Sequence, residues 1–351
     1  MIGKNLRVVG SRRATRLLGV LTAVGAGLAL AAASPAGAAQ LRGVALHPMG
    51  IDKSTTTIQT EFGMLQAARA DTVRFDIFWS SVEQHKGQYD APTLSWIDWV
   101  MGQAHQHGLK VILDIDSTPC WASSVPATVD PVGCHSGWWY YPVTDYAPTN
   151  PQDYANFAAY AATRWGSNLA ALELWNEPDY GVSWLSPYPA HDYAALVNAT
   201  YPTVKAVAPD LPVIMSLGGN SLTFLDKLYS WGVQGNYDGI AVHPYYQPTF
   251  SGLKGFRAEQ LKYGDHAPLW VTEVGWSSLQ YGLQGQAQNI TSALNQLAAL
   301  PYVADVDIYD MHDDGTDPAN AEDHFGLVDF NLNPKPAWYA FQSGVQSLAK
   351  H

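Results

Sequence analysis

Eight short runs rich in β-branched and aromatic residues recur between residues 41 and 311, and each is followed by a longer segment of helical character. The runs are LRGVALH (41–47), TVRFDIFW (72–79), KVILDID (110–116), LAALELWN (169–176), PVIMSLG (212–218), GIAVHPY (239–245), LWVTEVG (269–275) and VDIYDM (306–311). Between them, segments such as YANFAAYAATRW (154–165) and AQNITSALNQLAAL (287–300) space their apolar residues by three and four, the period of a half-buried helix. Eight β-then-α units in about 310 residues count out an α/β fold, a closed (β/α)8 TIM barrel. A doubly wound open sheet contains the same alternation and remains the alternative, because a ladder of units does not by itself show closure. No repeat, low-complexity tract or linker divides the chain, so residues 40–351 are expected to form a single domain.

Residues 1–39 stand outside this pattern. Lys4, Arg7, Arg12, Arg13 and Arg16 precede an apolar stretch from Leu17 to Ala33, and Ala36-Gly37-Ala38 fits a small-x-small cleavage pattern. This is the layout of a secretory signal peptide. The segment around Arg12-Arg13 also resembles a twin-arginine export signal, without the aromatic usual two places further on. A secreted, extracellular protein is expected, with no membrane span left after cleavage.

The leader holds five of the 19 basic residues and none of the 31 acidic ones, leaving a net charge of about −17 on the remainder. Such a chain is a poor partner for nucleic acid, for anionic membranes or for a polyanionic substrate. Charged residues make up only 14% of the sequence, against 13 Trp and 19 Tyr, a balance suited to a neutral sugar. Cys120 and Cys134, fourteen positions apart, are expected to form a disulfide in an exported chain. Closing that loop stabilises by roughly 3 kcal/mol in the chain-entropy description.

Polar residues gather where the strands stop: His47, Arg74 with Asp76, Asp114 with Asp116, Asn176 with Glu177, His243, Glu273, and Asp310 with His312. In a parallel barrel these ends share one face, the face on which active sites are built. Two carboxylates stand out. Glu177 follows the fourth strand in Trp-Asn-Glu-Pro, and Glu273 ends the seventh in Trp-Val-Thr-Glu-Val-Gly-Trp. Each sits among apolar or aromatic neighbours, where an ionised group is costly unless it is paired or used. Strands four and seven lie roughly across the barrel mouth, so the two can face one cleft. Paired carboxyls are what glycosidic bond cleavage needs.

Asn-Glu-Pro after strand four, His-Pro-Tyr after strand six and Thr-Glu-x-Gly after strand seven together resemble a clan A glycoside hydrolase. The likeness is strongest to family 39, with the family 5 cellulase relatives less close. Residues 73–90 and 326–341 resemble the second-strand region and the C-terminal segment of such enzymes. The resemblance implies a retaining double displacement, with Glu177 as general acid/base and Glu273 as nucleophile. It implies a carboxyl separation of roughly 5–5.5 Å. Asn176 is implied to bond the sugar 2-hydroxyl, Arg74 to keep Glu273 ionised, Tyr245 to bond the nucleophile, and His243 to sit beside the reacting sugar. The alternative for Arg74 is an ordinary ion pair with Asp76. Glu173, four residues before Glu177, reads as a structural acid lower in the barrel.

Sugar-stacking candidates are Trp138-Trp139-Tyr140-Tyr141 with Trp139 foremost, and Trp184, Trp276 and Tyr309, the last because the eighth strand lacks the Trp that many clan relatives carry. His312, Asp313, Asp314 and Asp317 match no metal-ligand spacing. Neither a metal nor a cofactor is expected, and the chain is expected to act as a monomer on an oligo- or polysaccharide. A non-catalytic carbohydrate-binding barrel and a transglycosylase on the same site are the alternatives in function.

Overall fold

In a computed structural model of the chain, the structure describes residues 40–130, 133, 142–245 and 249–348. Eight strands form the centre: β1 (Leu41–Ala45), β2 (Thr72–Phe78), β3 (Lys110–Asp116), β4 (Leu169–Leu174), β5 (Val213–Ser216), β6 (Gly239–Val242), β7 (Leu269–Val274) and β8 (Val303–Ile308). Each pairs in parallel with the next and β8 pairs with β1, so the barrel is closed. Closure excludes the open-sheet alternative. Around it run α1 (Thr55–Ala68), the short α2 (Trp79–Val82), α3 (Ala91–Gln106), α4 (Pro151–Trp165), α5 (Pro189–Val207), α6 (Leu222–Ser230), α7 (Ser251–Lys262), α8 (Ser278–Ala298) and α9 (Pro336–Leu348).

The helices start where the sequence supplies caps. Asp90 accepts the Thr93 N–H at 2.9 Å ahead of α3, and Asn150 accepts the Gln152 N–H at 3.2 Å ahead of α4. Both caps precede a proline in the first turn, whose missing N–H costs nothing there. The apolar stripe of α4 buries Tyr154, Phe157, Ala158, Ala161 and Trp165 against the barrel. The side chains of Val73, Phe75 and Ile77 belong to the same core. Each large apolar side chain so buried stabilises by about 1.5–3 kcal/mol.

Period two turns the intervening residues of the strands into the barrel. Ile112, Ala171, Ile214, Ala241 and Trp270 form a small apolar cluster there, separate from the core beneath the helices. The rest of the interior is polar, with Thr72, Arg74, Asp114, Glu173, Thr272, Asp305 and Asp307 all buried. Thr72 Oγ1 donates to Asp307 Oδ1 at 3.0 Å, and burial pushes Asp307 up to about 7.

Several strands are shorter than the sequence suggests. β6 stops at Val242 rather than running to residue 245, because Pro244 has no N–H for a ladder. β8 begins at Val303 rather than at 306 and includes Asp305, which faces the interior near Thr72. Of the expected disulfide, Cys134 lies outside the described residues; Cys120 is buried, and no described cysteine is free. Residues 1–39, with the expected leader, also lie outside. No described helix is long and apolar enough to cross a membrane.

Candidate active site

β4 delivers Asn176 and Glu177 by a sharp turn. Trp175 and Glu177 both take left-handed backbone angles, with φ of 68° and 50°. Such angles are costly for residues with a side chain and persist where the surroundings enforce them. The enforcement is visible here. Trp175 Nε1 donates to Ser183 O at 2.7 Å, and its ring meets that of Trp184 edge-on at 4.8 Å. Tyr193, on α5, donates to Leu174 O at 2.6 Å and accepts from Ser216 N at 2.7 Å, tying β4 to β5.

Arg74 is the hub. Only 4% exposed, it points from β2 across the barrel. Its Nη1 donates to Glu273 Oε1 at 2.6 Å, Nε to Glu173 Oε2 at 2.8 Å, and Nη2 to Asn176 Oδ1 at 3.1 Å and Asp114 Oδ2 at 3.4 Å. Asp76 is not among these partners. Burial opposes the guanidinium charge, but Glu173, Glu273 and Asp114 outweigh it and hold Arg74 above its ordinary range. Because Asn176 Oδ1 is taken by Arg74, its amide N–H groups are left to donate elsewhere.

Glu273 is 8% exposed and doubly held, with Tyr245 Oη donating to its Oε2 at 2.7 Å while Arg74 takes Oε1. Burial pushes its carboxyl up, yet the His243 and Arg74 charges and the Tyr245 hydroxyl outweigh that and hold it below the usual range. The strand register shifts between Val271 and Val274, which lets the consecutive residues Thr272 and Glu273 both join the interior network.

Glu177 and Glu273 meet at Nδ1 of His243, which lies 2.7 Å from Glu177 Oε1 and 3.6 Å from Glu273 Oε2. One oxygen of each carboxylate and a His243 ring nitrogen all lie within 4.8 Å of one another. His243 is fully enclosed rather than open to a sugar: Nδ1 lies 2.7 Å from Glu177 Oε1, and Nε2 lies 3.1 Å from Thr272 Oγ1. Burial lowers its basicity, but Glu273 and the bond to Glu177 raise it above the ordinary value. Thr272 donates to Glu173 Oε1 at 3.3 Å, so its oxygen is left to accept the N–H of His243 Nε2. That fixes the tautomer and turns Nδ1 to Glu177. The Nδ1–Oε1 contact then carries one proton, which can reside on either partner. Glu173 is 0% exposed, a structural acid as its place in the sequence suggested.

A loop after β5 closes over this pair. A Cβ at Gly218 would fall 2.6 Å from His243 Nδ1 and closer still to Glu177 Cγ, so only glycine fits. Asp179 caps the same loop by accepting from Gly219 N at 2.9 Å and Ser221 N at 2.8 Å.

The aromatic expectations fare unevenly. Tyr309 is half-buried, with its ring 5.5 Å from His47, 6.0 Å from Tyr245 and 5.6 Å from Phe325. Trp184 is 1% exposed, donates to Pro189 O at 3.0 Å and packs on Trp175 and Tyr193, so it is core and not a sugar platform. Trp276 is 5% exposed and belongs to the core as well. Trp139 and its aromatic neighbours lie outside the described residues. The candidates at 312–317 scatter: His312 faces Asp52 at 2.9 Å, while Asp313 faces Lys335 at 2.7 Å. Thr272 was not singled out from the sequence; its inward position on β7 was the available signal.

A closed parallel barrel with two carboxylates converging on an arginine-anchored mouth is the architecture of clan A glycoside hydrolases, a class of glycosidases. The model of the Cellulase family, glycosyl hydrolase family 5, matches residues 31–333. The chain belongs to this family. Family 39, which the motifs favoured, is represented among the solved structures that it resembles. A family 39 glycoside hydrolase from the gut symbiont Bacteroides cellulosilyticus WH2 has a TM-score of 0.68 and 26% identity, over 88% of this chain and 64% of that one. The exo-β-1,4-mannosidase Op5Man5 from Opitutaceae bacterium strain TAV5 has a TM-score of 0.65 and 16% identity, over 90% of this chain and 61% of that one. A monomeric β-xylosidase from Caulobacter crescentus CB15 has a TM-score of 0.65 and 17% identity, over 87% of this chain and 67% of that one. The last two likenesses concern the fold alone, and the chain spans less than two thirds of the first two proteins. No curated protein matches the chain.

Proposed function

We propose that the protein is a secreted retaining glycoside hydrolase that cleaves β-glycosidic bonds in a neutral oligo- or polysaccharide. The observation that carries this reading is the approach of Glu177 and Glu273 to within 4.8 Å, both facing Nδ1 of His243. That spacing suits a nucleophile and an acid/base acting on one sugar and leaves little room for the intervening water that inversion requires. Glu273, kept ionised by Arg74 and Tyr245, attacks the anomeric carbon while Glu177 protonates the departing oxygen. In the second step Glu177 takes a proton from water, which attacks the same carbon and releases Glu273. His243 Nδ1 shares the Glu177 proton before it passes to the departing oxygen, and again once Glu177 has taken one from water. Asn176 donates its amide N–H to the sugar 2-hydroxyl, and Tyr309 offers a ring face at the eighth strand.

The β-linkage rests on the relatives whose names include a β-xylosidase and a β-1,4-mannosidase. The acidic, charge-poor composition supports a neutral sugar. Export through the N-terminal leader, a Cys120–Cys134 disulfide and a monomeric state complete the proposal. A panel of aryl β-glycosides and β-linked polysaccharides tests it, with wild type beside Glu177→Gln and Glu273→Gln. Turnover lost in both variants, with the first-formed product keeping the β-configuration by NMR, is the expected outcome. Full activity of Glu273→Gln, or a product of inverted configuration, overturns it.

A further inference from the structure

On the β1 side of the barrel mouth lies a second group of buried acids that the glycosidase chemistry does not use. Asp52 comes from the loop after β1, Glu61 from the inner face of α1, and His312 from the segment after β8. They are 1%, 0% and 7% exposed. Their ligand atoms all lie within 4.8 Å of one another. His312 Nδ1 is 2.9 Å from Asp52 Oδ1 and 3.7 Å from Glu61 Oε1.

His312 and Asp52 are each aimed inward by an outer contact. His312 Nε2 donates to Phe330 O at 3.1 Å, which leaves Nδ1 as the nitrogen facing the two carboxylates. Asp52 Oδ2 accepts the His47 N–H at 2.7 Å, which leaves Oδ1 facing His312. Outer hydrogen bonds of this kind are how proteins orient metal ligands. Glu61 goes further: neither of its carboxylate oxygens has a hydrogen-bond partner, although the residue is wholly buried. Asp310, 1% exposed, adds two more oxygens without partners close by. Among the described residues, the ion pairs reaching Asp52, Glu61 and Asp310 come from His47 and His312 alone.

Burying this much negative charge is prohibitive without neutralisation. Protons on the histidine and between the two carboxylates are one way to supply it. A proton on Glu61 can join it to Asp52 through one oxygen and leaves the other buried without a partner, whereas a cation between the three side chains satisfies both. We propose that Asp52, Glu61 and His312 form a binding site for a divalent cation of the Zn2+ or Mn2+ type, which ties α1 and the β1 loop to the segment after β8. One imidazole nitrogen with two carboxylates is a donor set for those ions rather than for Mg2+ or Ca2+. Binding releases the proton on His312 Nδ1, and that on Glu61, to solvent. The ion sits outside the Glu177–Glu273 pair and takes no part in the glycosidic step.

The test is metal content and melting temperature of the full chain, dialysed against chelator and then supplied with Zn2+, Mn2+ or Ca2+. One equivalent of Zn2+ or Mn2+ retained per chain is expected, with a melting temperature that rises with its concentration and little response to Ca2+. Glu61→Gln, nearly the same shape, is expected to weaken retention at least tenfold and to lose the metal-dependent rise. The proposal is overturned if wild type melts identically with and without every ion. It is equally overturned if Glu61→Gln melts at or above wild type in metal-supplied buffer, the behaviour of a proton-filled cluster.

Discussion

Tyr245→Phe isolates one hydrogen bond in the candidate site. The hydroxyl donates to Glu273 Oε2 at 2.7 Å, and Phe keeps the ring that meets Tyr309 and Phe325 edge-on. Glu273 is held low by three agents acting against burial: the His243 charge, the Arg74 charge and this hydroxyl. The bond favours the ionised carboxylate, so its loss favours the protonated one, and the proposed nucleophile is neutralised at a higher pH than before. A hydrogen bond to a charged group contributes about 1.5–3 kcal/mol. At roughly 1.4 kcal/mol per pH unit, the acid limb of kcat/KM moves upward by about 1–2 units. The assay is kcat/KM against pH on any aryl glycoside that wild type cleaves. The variant falls furthest behind on the acid side and recovers part of the deficit above the shifted limb. A limb that stays in place, or moves down, refutes Tyr245 as a support of the ionised nucleophile.

Thr272→Val removes the hydroxyl shared by His243 and Glu173 and leaves two buried polar groups without a partner, at a cost of about 1–3 kcal/mol each. Both denaturant midpoint and kcat are expected to fall, and Thr272→Ser is expected to restore both. Trp184→Ala is expected to lower stability by about 3–5 kcal/mol with KM unchanged in the folded fraction; a raised KM at unchanged stability would return Trp184 to the substrate. Asp307, pushed up to about 7 by burial, adds stability in its protonated form below about pH 4 and loses that contribution as pH rises toward 7. Asp307→Asn is therefore expected to melt with wild type near pH 4 and above it at pH 8; the reverse order contradicts the buried-acid assignment.

How far the sequence discloses this molecule depends on what kind of signal each feature leaves. The barrel follows from the alternation of β and α runs, since eight parallel strands have few ways to cover both faces. Glu177, Glu273, Arg74, Asn176, His243 and Tyr245 are each legible from motif context, and the fold brings them into one network. Trp184 and Trp276 misled, because a tryptophan after a strand end does not reveal which way its ring turns. Thr272 stayed hidden because a threonine in a β-strand is ordinary, and its role depends on a bulge that no local pattern announces. The meeting of Asp52 with His312, 260 residues apart, is a product of closure itself and has no local trace. The early start of β8 was obscured by Asp305, a polar residue in a strand that faces a polar interior.

The proposed chemistry requires a carboxylate oxygen of Glu273 to bond to the sugar. Incubation with a panel of activated 2-deoxy-2-fluoro-β-glycosides, followed by peptide mass mapping, reads this directly. A single glycosyl adduct on the peptide carrying Glu273, absent in Glu273→Gln and formed in wild type with loss of activity, is the predicted result. An adduct on Glu177, Glu173 or another carboxylate, with Glu273 unmodified, would contradict it.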